Sequence, residues 1–157
     1  AREVAKRVPD ATFEWLGPLH DANPSAMAEG EIAALLAEGV VRHVPECDDV
    51  RPALAACSVF VLPSHREGTS KVMLEAMAMG IPCVATDLPP MVEVSGGAAI
   101  HVPVGEVTAL GDALDRACND DMLRARMINQ GLARARLFSV EKMGERALAI
   151  YRDTLGR

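Results

Sequence analysis

Apolar residues in this chain fall into short runs separated by turn residues and by longer stretches with helical spacing. The runs Thr12–Leu16, Val40–Val44, Val59–Leu62, Cys83–Ala85 and Ala98–Val102 read as strands. Helical patterns cover residues 1–8, 29–38, 50–57, 69–79, 106–119, 121–137 and 140–155. Pro9, Gly17-Pro18, Gly39, Gly80 with Pro82, and Gly105 punctuate them, and residues 20–27, holding Asn23-Pro24, read as a loop. Residues 87–90 are expected as a loop, followed by one helical turn over Met91–Val94 and the breaker Ser95-Gly96-Gly97. Asp48 or Asp49 is placed to cap the helix over 50–57, and Ser139 supplies half a capping box for the last helix. Strands alternating with helices predict a doubly wound α/β domain, a parallel sheet covered on both faces.

One helix breaks the usual amphipathic rule. From Thr69 to Met79 almost every direction around the axis is apolar or small, and only Lys71 and Glu75, one turn apart, make a polar stripe. Such a helix is expected to be buried, which places Glu75 where water is scarce and requires donors or a cation for its carboxylate. Two readings stand. Either Lys71 and Glu75 form an i,i+4 pair, in the poorer orientation and worth about 0.2–0.5 kcal/mol, or Glu75 accepts hydrogen bonds from a ligand's hydroxyls.

Composition narrows the classes. The chain has 157 residues, half of them hydrophobic, which is one domain's length and enough for a substantial core. A net charge of −6 argues against nucleic acid as the partner. Cys47, Cys57, Cys83 and Cys118 stand far apart without metal-ligand spacing; Cys57 and Cys83, in or beside apolar runs, are expected as buried free thiols of a reduced, metal-free, cytosolic protein. No apolar run is long enough to span a membrane as a helix, and no stretch of these residues is expected to be a signal peptide. The chain opens on Ala1, already in a helical pattern, and is expected to be a piece of a larger protein.

In doubly wound domains ligands bind beyond the carboxyl ends of the strands. Gly17-Pro18, residues 64–70 and residues 87–93 stand at such ends. The second offers Gly68 for close backbone approach, the amides of Gly68, Thr69 and Ser70, and the Thr69 and Ser70 hydroxyls at a helix start, a setting for phosphate or pyrophosphate. Neither a Walker A sequence nor GxGxxG is present.

The residues Pro63-Ser64, Glu67-Gly68 and Leu74-Glu75-Ala76-Met77-Ala78-x-Gly80-x-Pro82 resemble the C-terminal domain of GT-B glycosyltransferases, most closely the large retaining family called group 1 or family 4. Its hallmark is two glutamates with seven residues between them, here Glu67 and Glu75. Residues 49–64, Val84-Ala85-Thr86-Asp87, Glu93 and the tail from Ser139 to Tyr151 extend the resemblance over nearly the whole chain.

The resemblance implies a Rossmann-like C-terminal half of a GT-B fold over residues 1–157. The N-terminal acceptor domain, and the first strand and loop with the family's diphosphate-clamping Arg and Lys, are expected to lie outside it. It implies that Glu75 binds the ribose hydroxyls of a nucleotide-sugar and Glu67 a hydroxyl of the donor sugar. The backbone amides of Gly68, Thr69 and Ser70 would hold the diphosphate. Lys71 stands between a phosphate contact and the Glu75 pair, and Glu93 lies in the donor or diphosphate surroundings. The implied reaction moves a sugar to an acceptor hydroxyl with retention and without a metal or other cofactor. UDP-sugars, then GDP-mannose, are the implied donors. The implied acceptor is a glycan or lipid-linked glycan at the cytoplasmic face of the membrane, with any peripheral membrane association residing in the missing half.

Pro90 stands where the family often has Gly, and it lacks an amide donor. A nucleotide-sugar epimerase and a non-catalytic nucleotide-sugar-binding module are the alternative functions; the Glu67 and Glu75 motif favours the transferase. The chain by itself is expected to bind the nucleotide half weakly and to catalyse nothing. Outside the motif, His65 and Arg66 are expected to shape the loop, His101 to sit at a rim or in the core, and His43 is a candidate to face the base.

Overall fold

The structure, a computed structural model, describes residues 1–8, 10–18 and 28–156. It divides into two compact units, Ala1–Pro52 and Ala53–Arg157.

The first unit runs α1 (Arg2–Arg7), β1 (Phe13–Leu16), α2 (Glu29–Ala37) and β2 (Val41–Val44). β1 and β2 pair in parallel, Phe13 opposite Val41 and Leu16 opposite Val44. Val4 of α1 and Ile32 of α2 are buried. The Arg2 guanidinium grips the Glu38 carboxylate with two bonds of 2.6 Å. At the start of α2 the Glu31 carboxylate accepts from the Ala28 amide at 3.0 Å. Gly39, at φ 69°, turns the chain into β2. α1 is the helix expected over residues 1–8; Pro9, expected to close it, and the loop expected over residues 20–27 lie outside the described residues.

The unit boundary falls within α3 (Arg51–Ala56). Asp49 accepts from the Arg51 backbone N–H at 3.0 Å, as one of the two expected capping residues.

The second unit continues β3 (Phe60–Leu62), α4 (Lys71–Ala78), β4 (Cys83–Thr86), α5 (Pro89–Ser95), β5 (Ala99–Val102), α6 (Val107–Asn119), α7 (Asp121–Arg136) and α8 (Val140–Leu155). The three strands form one parallel sheet in the order β3-β4-β5. β4 is central and buried along its whole length, which is why Cys83-Val84-Ala85-Thr86 reads as a continuous apolar run and does not alternate. Met73 and Met77 of α4 and Met91 of α5 are fully buried with it, the flexible thioethers filling space between helix and sheet. α7 approaches α4 closely because Gly131 has no side chain; a Cβ there would lie 3.4 Å from Met77 Cβ.

Three sequence expectations change, and one helix packs less than the others. α4 begins two residues later than its pattern, because the Ser70 hydroxyl caps it by accepting from the Met73 amide at 3.3 Å, leaving Thr69 and Ser70 ahead of the helix. α5 begins two residues earlier, at Pro89: prolines in the first turn give up amides that have no helical partner there, so Pro89 and Pro90 start the helix instead of forming a loop. Cys57, just past the end of α3, is exposed, whereas Cys83 in β4 is buried as expected. α8 buries none of its residues, although its apolar positions are regularly spaced.

Candidate functional site

The carboxyl ends of β3, β4 and β5 open onto the loop 63–70, the turn Asp87-Leu88 and the turn after Val102. α4 starts where the first of these ends. The amides of Lys71 and Val72 precede its first i→i−4 bond, Leu74 N–H to Ser70 O, and so face outward at the positive end of the helix dipole. The other end is closed by a Schellman motif: Ile81 N–H donates to Ala76 O and Gly80 N–H to Met77 O, both at 3.0 Å, with Gly80 left-handed at φ 72°. The helix is therefore short, held at both ends, and aimed by its buried face.

Its orientation corrects the reading of Glu75. Met73, Ala76 and Met77 face the core, and Lys71, Glu75, Ala78 and Met79 share the opposite, exposed face. Glu75 is thus not buried, because small and flexible residues supplied the apolar signal on the outer face as well. Lys71 and Glu75 form no ion pair with each other or with another described residue, so that reading also falls away. Both charges are available to a ligand.

Glu67 is half-buried in the loop, and its carboxylate accepts from the Ser64 hydroxyl at 3.2 Å. Gly68 and Thr69 are exposed. The Ser70 hydroxyl, expected to be offered to a phosphate, is 2% exposed and committed to the cap. Glu93 lies on α5 with an exposed side chain, while its carbonyl accepts from Arg134 Nη2 at 2.5 Å. His65 and Arg66 are exposed.

Sequence reasoning gave Ser64 and Thr86 only as parts of the resemblance and Ser95 only as part of a helix breaker, with no site role for any of them. The Thr86 hydroxyl donates to Ser64 O at 2.7 Å, and His101 stands between Thr86 O and the Ser95 hydroxyl. The available signal was their placement, each at or near the end of an element that converges on this edge.

In the first unit, His43 Nε2 lies 2.8 Å from Gly17 O and its ring meets Trp15 edge-on, centroids 5.7 Å apart, at the carboxyl ends of β1 and β2. An open cavity of about 520 Å³ lies at the opposite ends of the same strands, lined by Thr12, Phe13, Gly39 and Val40 among others. That is the end where parallel sheets do not build ligand sites.

The chain is similar to known glycosyltransferases. A family model described as glycosyl transferases group 1 matches residues 1–120. The lipopolysaccharide core biosynthesis glycosyltransferase LpsE of Rhizobium meliloti is 35% identical over 131 residues, 82% of this chain and 38% of that protein. The O-antigen chain mannosyltransferase B of Escherichia coli is 32% identical over 118 residues, 73% of this chain and 31% of that protein. The chain thus spans 31% to 38% of the length of these relatives. Among solved structures, Anabaena Alr3699/HepE in complex with UDP superposes with a TM-score of 0.83 at 22% identity, over 97% of this chain and 43% of that one. The Rossmann-like α/β architecture with parallel sheets is that of GT-B glycosyltransferases.

Proposed function

This chain belongs to the group 1 glycosyltransferases, and from that premise we propose that it is the C-terminal, nucleotide-sugar-binding half of a GT-B enzyme that transfers a sugar to an acceptor hydroxyl with retention of configuration. The observation that carries the reading is the arrangement around α4. Two carboxylates, Glu67 in the loop and Glu75 on the exposed helix face, flank a helix start whose outward amides suit a diphosphate.

In this reading Glu75 accepts from the ribose hydroxyls and Glu67 from a hydroxyl of the donor sugar. The amides of Gly68, Thr69, Ser70, Lys71 and Val72 and the Lys71 ammonium meet the diphosphate. As the glycosidic bond breaks, negative charge grows on the leaving diphosphate, and fixed donors lower the barrier by stabilising it there. Exposure of Glu75 and Lys71 supports this role, since a ligand reaches both from solvent. Glu93, at the far turn of α5, belongs to the surroundings of the donor. No metal enters the scheme. Complexes of HepE with UDP favour a UDP-sugar as donor, and the names of the relatives favour a growing surface glycan as acceptor. The acceptor domain and further cationic diphosphate contacts belong to the rest of the enzyme, whose work would lie at the cytoplasmic face of the membrane. The chain alone would bind nucleotide weakly and transfer nothing. Among the described residues no helix is long and apolar enough to cross a membrane.

Calorimetric titration of the chain with UDP, GDP and ADP, repeated on Glu75→Ala, tests the reading. Binding of one nucleotide, lost in the variant, is the expected result. Equal binding by the variant would remove Glu75 from the site.

A further inference from the structure

The carboxyl ends of all three strands of the second unit are joined by a chain of side-chain hydrogen bonds that ends on Glu67. It starts in α5, where the fully buried Ser95 hydroxyl lies 2.7 Å from His101 Nε2 at the third position of β5. His101 Nδ1 is 3.1 Å from the carbonyl oxygen of Thr86, the last residue of β4. The Thr86 hydroxyl, 3% exposed, donates to Ser64 O beyond the end of β3 at 2.7 Å. The Ser64 hydroxyl then donates to Glu67 Oε2 at 3.2 Å.

A carbonyl oxygen only accepts, so His101 Nδ1 carries a hydrogen toward Thr86. The Ser95 hydroxyl donates to Val92 O at 3.1 Å, and the same oxygen lies 2.7 Å from His101 Nε2, which holds the other side of the ring.

Two parts of the chain differ in what they need. Thr86 and Ser95 are buried, and buried polar groups must find partners wherever they are. Ser64 and Glu67 are half-exposed, so water would serve the carboxylate as well. The Ser64–Glu67 bond therefore selects an orientation and satisfies no buried need. Around it His65, Arg66, Gly68 and Thr69 are all exposed, and the bond from Thr86 ties the start of this loop to the end of β4.

We propose that His101 is a positioning residue for Glu67: it anchors the end of β4, so that the Thr86 hydroxyl holds Ser64 and the Ser64 hydroxyl aims the carboxylate. The proposal rests on the reading of Glu67 as the contact to the donor sugar, and it assigns the sugar-contacting geometry to a residue on another strand. His101 touches no substrate; it acts through two intermediaries.

The test uses the chain with His101→Leu, which cuts the chain at the ring, and Thr86→Val, which cuts it one link nearer the loop with little change of shape. His101→Asn restores a donor at the place of Nδ1. Backbone amide resonances of residues 64–68 and the Glu67 carboxyl ¹³C resonance are followed by NMR, and affinities for UDP and UDP-glucose by calorimetry. The expected result is a shift of the 64–68 signals in both cutting variants and their return in His101→Asn. The extra affinity for UDP-glucose over UDP should fall several-fold in the cutting variants while UDP itself binds unchanged. Combining either variant with Glu67→Ala should lower it no further. Unmoved 64–68 resonances in Thr86→Val and His101→Leu would overturn the proposal, as would parallel loss of UDP and UDP-glucose affinity with no rescue by Asn. If His101→Leu does not fold, Thr86→Val and His101→Asn decide. Retention of the sugar increment in Glu67→Ala alone would instead overturn the reading of Glu67, while the NMR comparison still decides the positioning.

Discussion

Gly96 lies against the guanidinium of Arg134: a Cβ on Gly96 would stand 2.7 Å from Arg134 Nε. The glycine closes α5 at φ 55°, and Arg134, reaching over from α7, donates Nε to Val94 O at 2.9 Å and Nη2 to Glu93 O at 2.5 Å. Its guanidinium carbon also sits 4.9 Å from the centre of the Phe138 ring. A cation thus holds the last carbonyls of the helix that carries Glu93.

Gly96→Ala is expected to cost about 2 kcal/mol or more, combining the left-handed backbone of about 1–2 kcal/mol with displacement of Arg134. Gly97→Ala, at φ 87° with nothing within 4 Å of its Cβ, carries the conformational part alone. Urea unfolding of the two variants, and of Gly96→Ala combined with Arg134→Ala, measures the difference. Equal losses at the two glycines would show that the close approach has no energetic weight.

Lys71 is exposed and unpaired with any described residue, so reversing its charge is expected to change stability by less than about 0.5 kcal/mol. Nucleotide affinity should fall several-fold in Lys71→Glu, more at low than at high salt, because a like charge then stands beside the diphosphate. Titrations at two ionic strengths read this out. An unchanged affinity would move the diphosphate away from the start of α4.

A scheme without a metal predicts that nucleotide affinity is the same in EDTA and in added magnesium. Calorimetry in the two buffers checks it. Tighter binding with magnesium would mean that the cation, and not the helix start with Lys71, neutralises the diphosphate.

Burial pushes the Cys83 thiol up to about 12 from an ordinary value of 9.0. The folded protein therefore keeps this proton where the unfolded chain has lost it, and the stabilisation it contributes is complete below about pH 9 and is lost as pH rises toward 12. Unfolding curves between pH 8 and 10.5 should show a steeper loss of stability in the natural chain than in Cys83→Ala. Thiol reagents should modify exposed Cys47 and Cys57 in the folded protein and leave Cys83 untouched. Matching pH slopes in the two proteins would contradict the assignment.

Met77 is 1% exposed where α4 meets Gly131 of α7, and Met122 at the start of α7 is 83% exposed. Met77→Ala is expected to cost about 2–5 kcal/mol, from lost burial and the cavity left behind. Met122→Ala should stay within about 0.5 kcal/mol. Thermal and urea unfolding compare the two directly. A mild effect at Met77 would mean that the helix pair closes over the gap.

Strand and helix order was legible because each element carries local instructions. The run Cys83–Thr86 reads as buried strand, Gly80 and Gly96 mark helix ends by needing left-handed backbone, and Ser139 caps α8 by accepting from Lys142 at 3.3 Å. The two glutamates were legible by their spacing in a family motif. The start of α5 was misread because a Pro pair signals a loop and a first helical turn equally well, and the packing of Met91 and Val94 against the core makes the choice. The burial of Glu75 was misread because periodicity reports which faces are apolar, not which face meets a neighbour; Ala78 and Met79 beside it are apolar and exposed. The same limit explains α8, whose apolar positions bury nothing here.

By itself the sequence determined the alternation of strands and helices, the glycine cap that closes α4, and the presence of an acidic pair astride a helix start. These depend on residues within a turn or two of one another, where local sterics and hydrogen bonding decide. Only the tertiary structure decided that Lys71 and Glu75 face outward, that Arg134 holds the end of α5, and that Ser64, Thr86, His101 and Ser95 meet in one chain. Those residues are separated by up to 41 positions in Arg134–Glu93, and their contacts exist because parallel strand pairing brings β3, β4 and β5 to a common edge while helix packing chooses the buried face. No local pattern encodes that choice, since it is the sum of burial over the whole unit.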